Sequence, residues 1–284
     1  MNASVSLQGK YVTAVSPEGA EGKIKIADLL NRSSPAAALV EQLVNPDGCR
    51  KIIARGRYAI LVHETPPRVR TFKWIARGSD VPYGPEANYT DVSIALPYVV
   101  VMAVFECDTS GGVKLTNANE CFFSNEPLVS MDQPLSFPAL LNCSRFEPPD
   151  GHPLSWICTM NIEQSASLAR RSAERSPNEQ FRDGLRALLH TLLETGFNYS
   201  SEHHETNSWW SESSRVDKRI ADVDAWQRAT AKDKFFVLDL PWLPTKHTAA
   251  EIVERIFRNL GVGDEQTMGS ADDVARIVLN AASA

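Results

Sequence analysis

The sequence lacks the short motifs that would assign a function directly. It has no Gly-x-Gly-x-x-Gly and no Walker-type phosphate loop, which argues against nucleotide binding through those loops. It has no Gly-x-Ser-x-Gly and no His-Glu-x-x-His, so the signatures of common serine hydrolases and zinc peptidases are absent. It also has no run of about 18 apolar residues, the length that predicts a membrane-spanning helix.

Excess positive charge is missing as well. The 284 residues include 35 Asp and Glu against 29 Lys and Arg, which gives a formal net charge of -6. Nucleic acids and anionic membranes attract surfaces with excess cations, so we expect no general binding to either. Residues 1–6 have neither a basic start nor an apolar core, so no secretory signal is expected. The five cysteines have no paired spacing, which favours reduced thiols and a cytoplasmic location.

No group of residues predicts a cofactor or a metal. The best candidate is the pair His203-His204, flanked by Glu202 and Glu205. Adjacent residues point in different directions on a helix or a strand, so only a loop could aim both histidines at one ion. A solvated or hydrogen-bonded loop is the preferred interpretation. We therefore expect neither a metal nor a cofactor.

The order of hydrophobic patterns predicts an α+β fold, since strand-like segments precede helical ones. Residues 1–50 form a small amino-terminal α/β preamble in this interpretation. Residues 51–196 form an antiparallel β meander core of the α+β type in this interpretation. Residues 197–284 form a mostly helical carboxy-terminal extension.

Several individual elements follow from periodicity. Strands are predicted over 94–106 and 113–123, with a hairpin linker between them, and a short strand over 235–240. Helices are predicted over 178–195 and 248–260, where apolar residues fall on one stripe.

Four tryptophans lie in the last third of the chain: Trp209, Trp210, Trp226 and Trp242. Packing in the core is the preferred interpretation of these side chains. The alternatives are that they stack on nucleic-acid bases or that they dock a partner protein.

The segment 137–160 is the most suggestive of chemistry. A proline-led stretch ends at Asn142, a Pro-Pro-Asp-Gly turn follows, and a short apolar run presents Cys158. A thiol nucleophile needs a lowered pKa or a nearby base, and donors for the oxyanion. His152 lies six residues before Cys158, and Asn142 lies sixteen residues before it. The alternative is that Cys158 is a small hydrophobe in a core strand.

This order resembles the ubiquitin-conjugating enzymes, in which a segment ending in His-Pro-Asn precedes a short turn and Gly-x-Ile-Cys. Leu141-Asn142, the turn at 148–151 and Trp156-Ile157-Cys158 follow that order. The chain is more similar to the bacterial conjugating-enzyme-like proteins of the PRTRC system protein B type. The resemblance covers roughly residues 90–200. It departs from the pattern at Leu140-Leu141, which replaces His-Pro, and in its longer spacing to the cysteine.

The resemblance implies transthioesterification. Cys158 would accept an acyl group as a thiolate, Asn142 would stabilise the oxyanion, and His152 is a further candidate for tuning the thiol. The implied partners are a ubiquitin-like modifier, a ThiF-like activating enzyme and a JAB-type peptidase. Such folds also occur as inactive scaffolds, since fold does not establish activity. The alternative function is a non-catalytic assembly or protein-interaction protein of a plasmid or phage, which binds its partner through the carboxy-terminal region.

Overall fold

The fold is known from a computed structural model that describes residues 4–33, 35–40, 43–76, 78, 80–81, 86–141, 143–146, 153–157, 159, 175–198, 209–262, 274–275 and 278–279. Helices and mainly antiparallel sheets both occur in these residues, which confirms the predicted α+β class. None of the helices within these ranges is both long enough and apolar enough to cross a membrane.

A nine-stranded antiparallel sheet forms the centre of the structure. Its strands are β4 (Cys49–Arg55), β5 (Tyr58–Thr65), β8 (Tyr98–Cys107), β9 (Val113–Leu115), β10 (Glu120–Ser124), β11 (Pro134–Ser136), β12 (Cys143–Phe146), β13 (Leu154–Ile157) and β15 (Pro244–Thr248). The main path runs β12-β13-β10-β8-β5-β4. Within it, β4, β5, β8 and β10 follow each other as a meander, each antiparallel to the next.

The central strands β5 and β8 are buried on both faces. Successive side chains of a strand point to opposite sides, so Val101 and Phe105 project onto a first face and Val100 and Val104 onto a second face. All four are fully buried. A strand that is covered on both sides reads as a continuous apolar run, which explains the composition of β8.

The first face is covered by helices and by a smaller three-stranded sheet. These elements are α2 (Pro35–Val40), α3 (Pro177–Leu193), α4 (Trp210–Ser213), α5 (Val223–Lys232), β6 (Arg68–Ile75), β7 (Thr90–Leu96) and β14 (Gly196–Asn198). Ser176 and Glu179 form a capping box that begins α3. A Cβ at Gly184 would lie 2.6 Å from Cε1 of Phe105, so only glycine allows α3 to approach the sheet this closely.

The second face is covered by helix α6 (Ala249–Asn259), which begins at a capping box formed by Thr248 and Glu251. Its apolar stripe packs on the sheet, as the pattern over 248–260 predicts. Arg255 interrupts that stripe and donates to both carboxylate oxygens of Glu120 at 2.8 Å. The two side chains are 5% and 4% exposed, so this ion pair is buried.

A separate small sheet contains β1 (Ser4–Gln8), β2 (Tyr11–Val15) and β3 (Glu21–Lys25), followed by α1 (Ile26–Ser33). Its buried residues pack with Ala275 and Val278. Segments near both ends of the described chain therefore contact each other. The predicted domain boundaries at residues 50 and 196 stay predictions.

Three predictions of individual strands are wrong. The run 94–106 is not one strand, because Pro97, which has no N–H, separates β7 and β8 into different sheets. The run 113–123 divides into β9 and β10, because Asn119 turns inward and its Oδ1 accepts the Val104 N–H at 2.8 Å. Phe236–Leu238 forms a 3₁₀ helix. The prediction of a strand over 235–240 fails because a short apolar run has no periodicity that distinguishes a strand from a helix.

The helix over 178–195 is confirmed as α3, with Phe181, Leu185, Leu188 and Leu192 buried. The hairpin between β8 and β9 is also confirmed.

All four tryptophans of the last third are buried. Trp209, Trp210, Trp226 and Trp242 are between 0% and 5% exposed. Trp210 stacks on Trp226 with ring centroids 5.8 Å apart. The packing interpretation is confirmed for these side chains, and a docking surface would need other residues.

Candidate functional site

The three residues predicted to carry the chemistry, Cys158, Asn142 and His152, lie outside the described residues, and so do His203 and His204. The structure does describe the strands beside two of them. β12 begins at Cys143, the residue after Asn142. β13 ends at Ile157, the residue before Cys158.

The pairing of β12 with β13 brings these two chain positions into register. Cys143 lies opposite Ile157, and Phe146 lies opposite Leu154. Cys143 and Ile157 are both buried, and the Ile157 N–H donates to the carbonyl of Asn119 at 2.9 Å. The sequence neighbours of Asn142 and Cys158 therefore form one cross-strand pair at the same end of the hairpin.

A buried carboxylate connects the hairpin to the core. Glu120 accepts a hydrogen bond from the Ser155 N–H at 3.1 Å while it binds Arg255 of α6. Ser155 and Ile157 face the core, whereas Leu154 and Trp156 are partly exposed. One face of β13 is thus fixed against packed neighbours, and the other is partly open to solvent.

Trp209, in the carboxy-terminal part of the chain, packs against the hairpin. Its Nε1 donates to the carbonyl of Leu154 at 3.1 Å, and its ring stacks on Phe137 with centroids 3.4 Å apart. The Arg145 guanidinium lies 4.9 Å from the centroid of the Trp209 ring and pairs with Glu212. Trp209 thus contacts both strands of the hairpin and the segment that leads to Asn142.

The segment before Asn142 contains a strained residue. Leu140 is 4% exposed and has a φ of 62°, a left-handed conformation that costs a non-glycine residue about 1–2 kcal/mol. Nearby, the Ser213 hydroxyl donates to the carbonyl of Pro138 at 3.1 Å. Strained backbone persists where the surroundings hold it in place, and it clusters at functional sites.

The four described cysteines are poor nucleophiles. Cys107, Cys121 and Cys143 are buried, and Cys49 is half-buried. Burial raises the pKa of Cys107 to about 12, with the charges of Asp108 and Glu106 adding to the effect. Burial also raises the pKa of Cys121 and of Cys49. Since the thiolate is the reactive form, the raised pKa values disfavour attack by Cys49, Cys107 and Cys121 at neutral pH, and burial shields Cys143.

Sequence reasoning missed Glu120, Arg255 and Trp209 as the residues that position the hairpin. The sequence contains a signal for Arg255. An arginine within the apolar stripe of a helix predicts an oppositely charged partner in the core, because a charge is rarely buried without one.

Within the described ranges, no group of three or more His, Cys, Asp or Glu could hold a metal ion. Comparisons with protein-family models, curated proteins and solved structures found no match.

Proposed function

We propose that the chain is a ubiquitin-conjugating-like thioester carrier in a bacterial or mobile-element modifier system, with Cys158 as the acyl acceptor. The observation that carries the proposal is the cross-strand pair of Cys143 and Ile157, which joins the amide-bearing and thiol-bearing segments in one hairpin. The element order within residues 90–200 supports it: the strands β8, β9 and β10, a proline-rich segment, the hairpin and then α3. That order is the one the resemblance implies for a conjugating-enzyme-like core.

The chemistry is an exchange of thioesters. The Cys158 thiolate attacks the carbonyl carbon of an incoming thioester and forms a tetrahedral oxyanion. The side-chain amide of Asn142 donates to that oxygen. Collapse of the intermediate breaks the bond to the incoming sulfur, which leaves as a thiolate and takes up a proton from solvent. His152 is the candidate base that favours the Cys158 thiolate.

The surroundings of the hairpin support this role. Oxyanion stabilisation needs donors that are already in place when charge develops. Glu120 and Trp209 fix the backbone of β13, and the contacts of Trp209 with Phe137 and Arg145 fix the segments on either side of residue 142. The raised pKa values of Cys49, Cys107 and Cys121 and the burial of Cys143 support Cys158 as the candidate nucleophile.

The proposal includes partners and a location. The partners are a ubiquitin-like modifier, a ThiF-like activating enzyme and a JAB-type peptidase. The location is the cytoplasm, where cysteine thiols stay reduced. The finer architecture, a meander core between an amino-terminal preamble and a helical extension, belongs to the same proposal.

A test uses a short peptide thioester as the acyl donor and intact mass spectrometry as the readout. The chain should gain one peptide mass, which hydroxylamine removes, and Cys158→Ala should abolish the gain. Cys49→Ser is the matched control, because Cys49 is the most exposed of the described thiols and should be dispensable. A folded native chain that forms no adduct would contradict the carrier. It would favour a degenerate scaffold or the assembly protein.

A further inference from the structure

The turn at residues 44–48, which precedes β4, lies directly over a buried histidine of β5. The ring of His63 is 7% exposed. Gly48 has a φ of 78°, and a Cβ at this position would lie 2.6 Å from Nε2 of His63, so only glycine lets the backbone pass this close to the ring. The turn therefore covers the ring and separates it from water.

Hydrogen bonds connect this turn to β5 and to α3. The Glu64 N–H donates to the carbonyl of Gly48 at 2.8 Å, and the Val44 N–H donates to Oδ1 of Asn178, in the first turn of α3, at 2.8 Å. Four of the five residues of the turn are exposed, so little apolar burial adds to these bonds. A segment of this kind can open locally while the core stays folded.

Open space lies beside the turn. A cleft of about 640 Å³ separates the turn from α3, with Asn45, Pro46 and Asp47 on one side and Leu185 and Leu189 on the other. The turn can therefore move away from β5 without displacing packed side chains.

The covered ring is poorly placed to bind a second proton. Its Nδ1 is buried and has no hydrogen-bond partner among the described residues. Burial lowers the pKa of His63, and the charges of Arg50 and Arg70 lower it further, whereas a hydrogen bond to the backbone of Asp47 and the charge of Glu64 oppose this effect. Since a free histidine titrates at about pH 6.5, the ring is neutral at pH 7 while the turn is closed.

The groups of the turn, β4 and β5 do not compensate a charge on the ring. The carboxylate of Glu64 already binds Arg50 and accepts the Leu128 N–H. Burial raises the pKa of Cys49, which lies opposite the ring in the register of β4 and β5, so this thiol is neutral. The side chain of Asp47 is exposed. A protonated ring would thus hold a charge and an N–H away from water, and both are costly.

The groups of α3 do not compensate the charge either. Its charged and titratable residues along the cleft are Arg182, Asp183, Arg186, His190 and Glu194. Both carboxylates are engaged, because Asp183 binds Arg175, and Glu194 lies 3.0 Å from His190.

We propose that the turn at residues 44–48 is an acid-sensitive switch, in which protonation of His63 releases the turn from β5. Release lets water reach Nδ1, widens the cleft beside α3 and uncovers the start of β4, the strand at one end of the main path. The β12–β13 hairpin lies at the other end of that path, so the switch is independent of the proposed thioester chemistry.

The direction of the pH dependence follows from the two states of the ring. The uncovered ring binds a proton at about pH 6.5, and the covered ring does so only at a lower pH. The closed turn therefore has its full stability above about pH 6.5 and loses it as pH falls. Between these two pKa values, the equilibrium constant for opening rises about tenfold per pH unit.

Hydrogen exchange of the full chain, measured by mass spectrometry and corrected for the intrinsic effect of pH on exchange, tests the switch. Below about pH 6.5, peptides that contain the amides of Cys49 and Glu64 should lose protection by about tenfold per pH unit, while peptides from β10 keep theirs. His63→Gln should abolish this dependence, because an amide side chain does not titrate. His190→Gln, at an exposed histidine, is the matched control and should behave as the native chain does.

A second variant tests the covering of the ring without removing the histidine. Gly48→Ala places a Cβ against the ring, so the turn should already be open at about pH 7.5 and show little further change as pH falls. Native protection in Gly48→Ala, or undiminished pH dependence in His63→Gln, would overturn the switch. So would protection of the turn that does not vary with pH in the native chain, or an equal loss of protection in β10.

Discussion

Replacement of Arg255 by methionine is expected to lower the free energy of unfolding by about 3–5 kcal/mol. Methionine retains much of the apolar volume but leaves the carboxylate of Glu120, whose side chain is 4% exposed, buried without its counter-ion. Glu120 also accepts the Ser155 N–H, so the loss should extend to the hairpin. Urea unfolding with linear extrapolation measures the change, since the midpoint should move with little change in slope.

An exposed ion pair provides the control for this variant. Lys73 and Asp91 lie 3.4 Å apart with 64% and 67% of their side chains exposed. Lys73→Met should therefore cost no more than about 1 kcal/mol. The double variant Glu120→Leu with Arg255→Met should recover much of the stability, because no unpaired charge remains. If Arg255→Met cost no more than Lys73→Met, the buried network would not be what anchors the hairpin.

Replacement of Asn142 by alanine is expected to slow transfer from the Cys158 thioester to hydroxylamine by about 10²–10³-fold. This is the loss that follows removal of one oxyanion donor in other acyl-transfer enzymes. The readout is single-turnover decay of the pre-formed peptide adduct, followed by mass spectrometry.

Two variants separate an oxyanion donor from a structural role at residue 142. Asn142→Asp keeps the size of the side chain but removes the N–H donors, so it should be as slow as Asn142→Ala. Asn45→Ala, at an exposed asparagine in the segment before β4, should transfer at the native rate, because β4 and β12 lie at opposite ends of the main strand path. Native transfer rates in both Asn142 variants would exclude the oxyanion role.

The fold class could be predicted because it depends on local periodicity. The stripe of α3 and the apolar run of β8 are visible in the sequence, and each forms the expected type of element. The division at Pro97 could not be placed by periodicity, because Leu96 and Tyr98 continue the apolar run on both sides of it. Pro97 itself is the sequence signal for the break, because a proline is disfavoured within a central strand, and the separation into two sheets confirms it.

The sequence predicts the segment that holds the candidate site, but not the contacts that position this segment in the fold. The proline-led stretch, the turn and the cysteine are contiguous in the chain. The residues that position the hairpin are not: Arg255 lies 135 residues from Glu120, and Trp209 lies 55 residues from Leu154. Sequence periodicity reports which face of an element is apolar, but it does not report which distant charge or indole meets that face.

Thiol modification of the folded native chain tests the central claim most directly. Iodoacetamide labelling, quantified for each cysteine by peptide mass spectrometry, should modify Cys158 at least about tenfold faster than Cys49, Cys107, Cys121 or Cys143. The raised pKa values of Cys49, Cys107 and Cys121 lower their thiolate fractions, and burial blocks access to Cys107, Cys121 and Cys143. Labelling of Cys158 as slow as that of the fully buried Cys121 would contradict the thioester carrier.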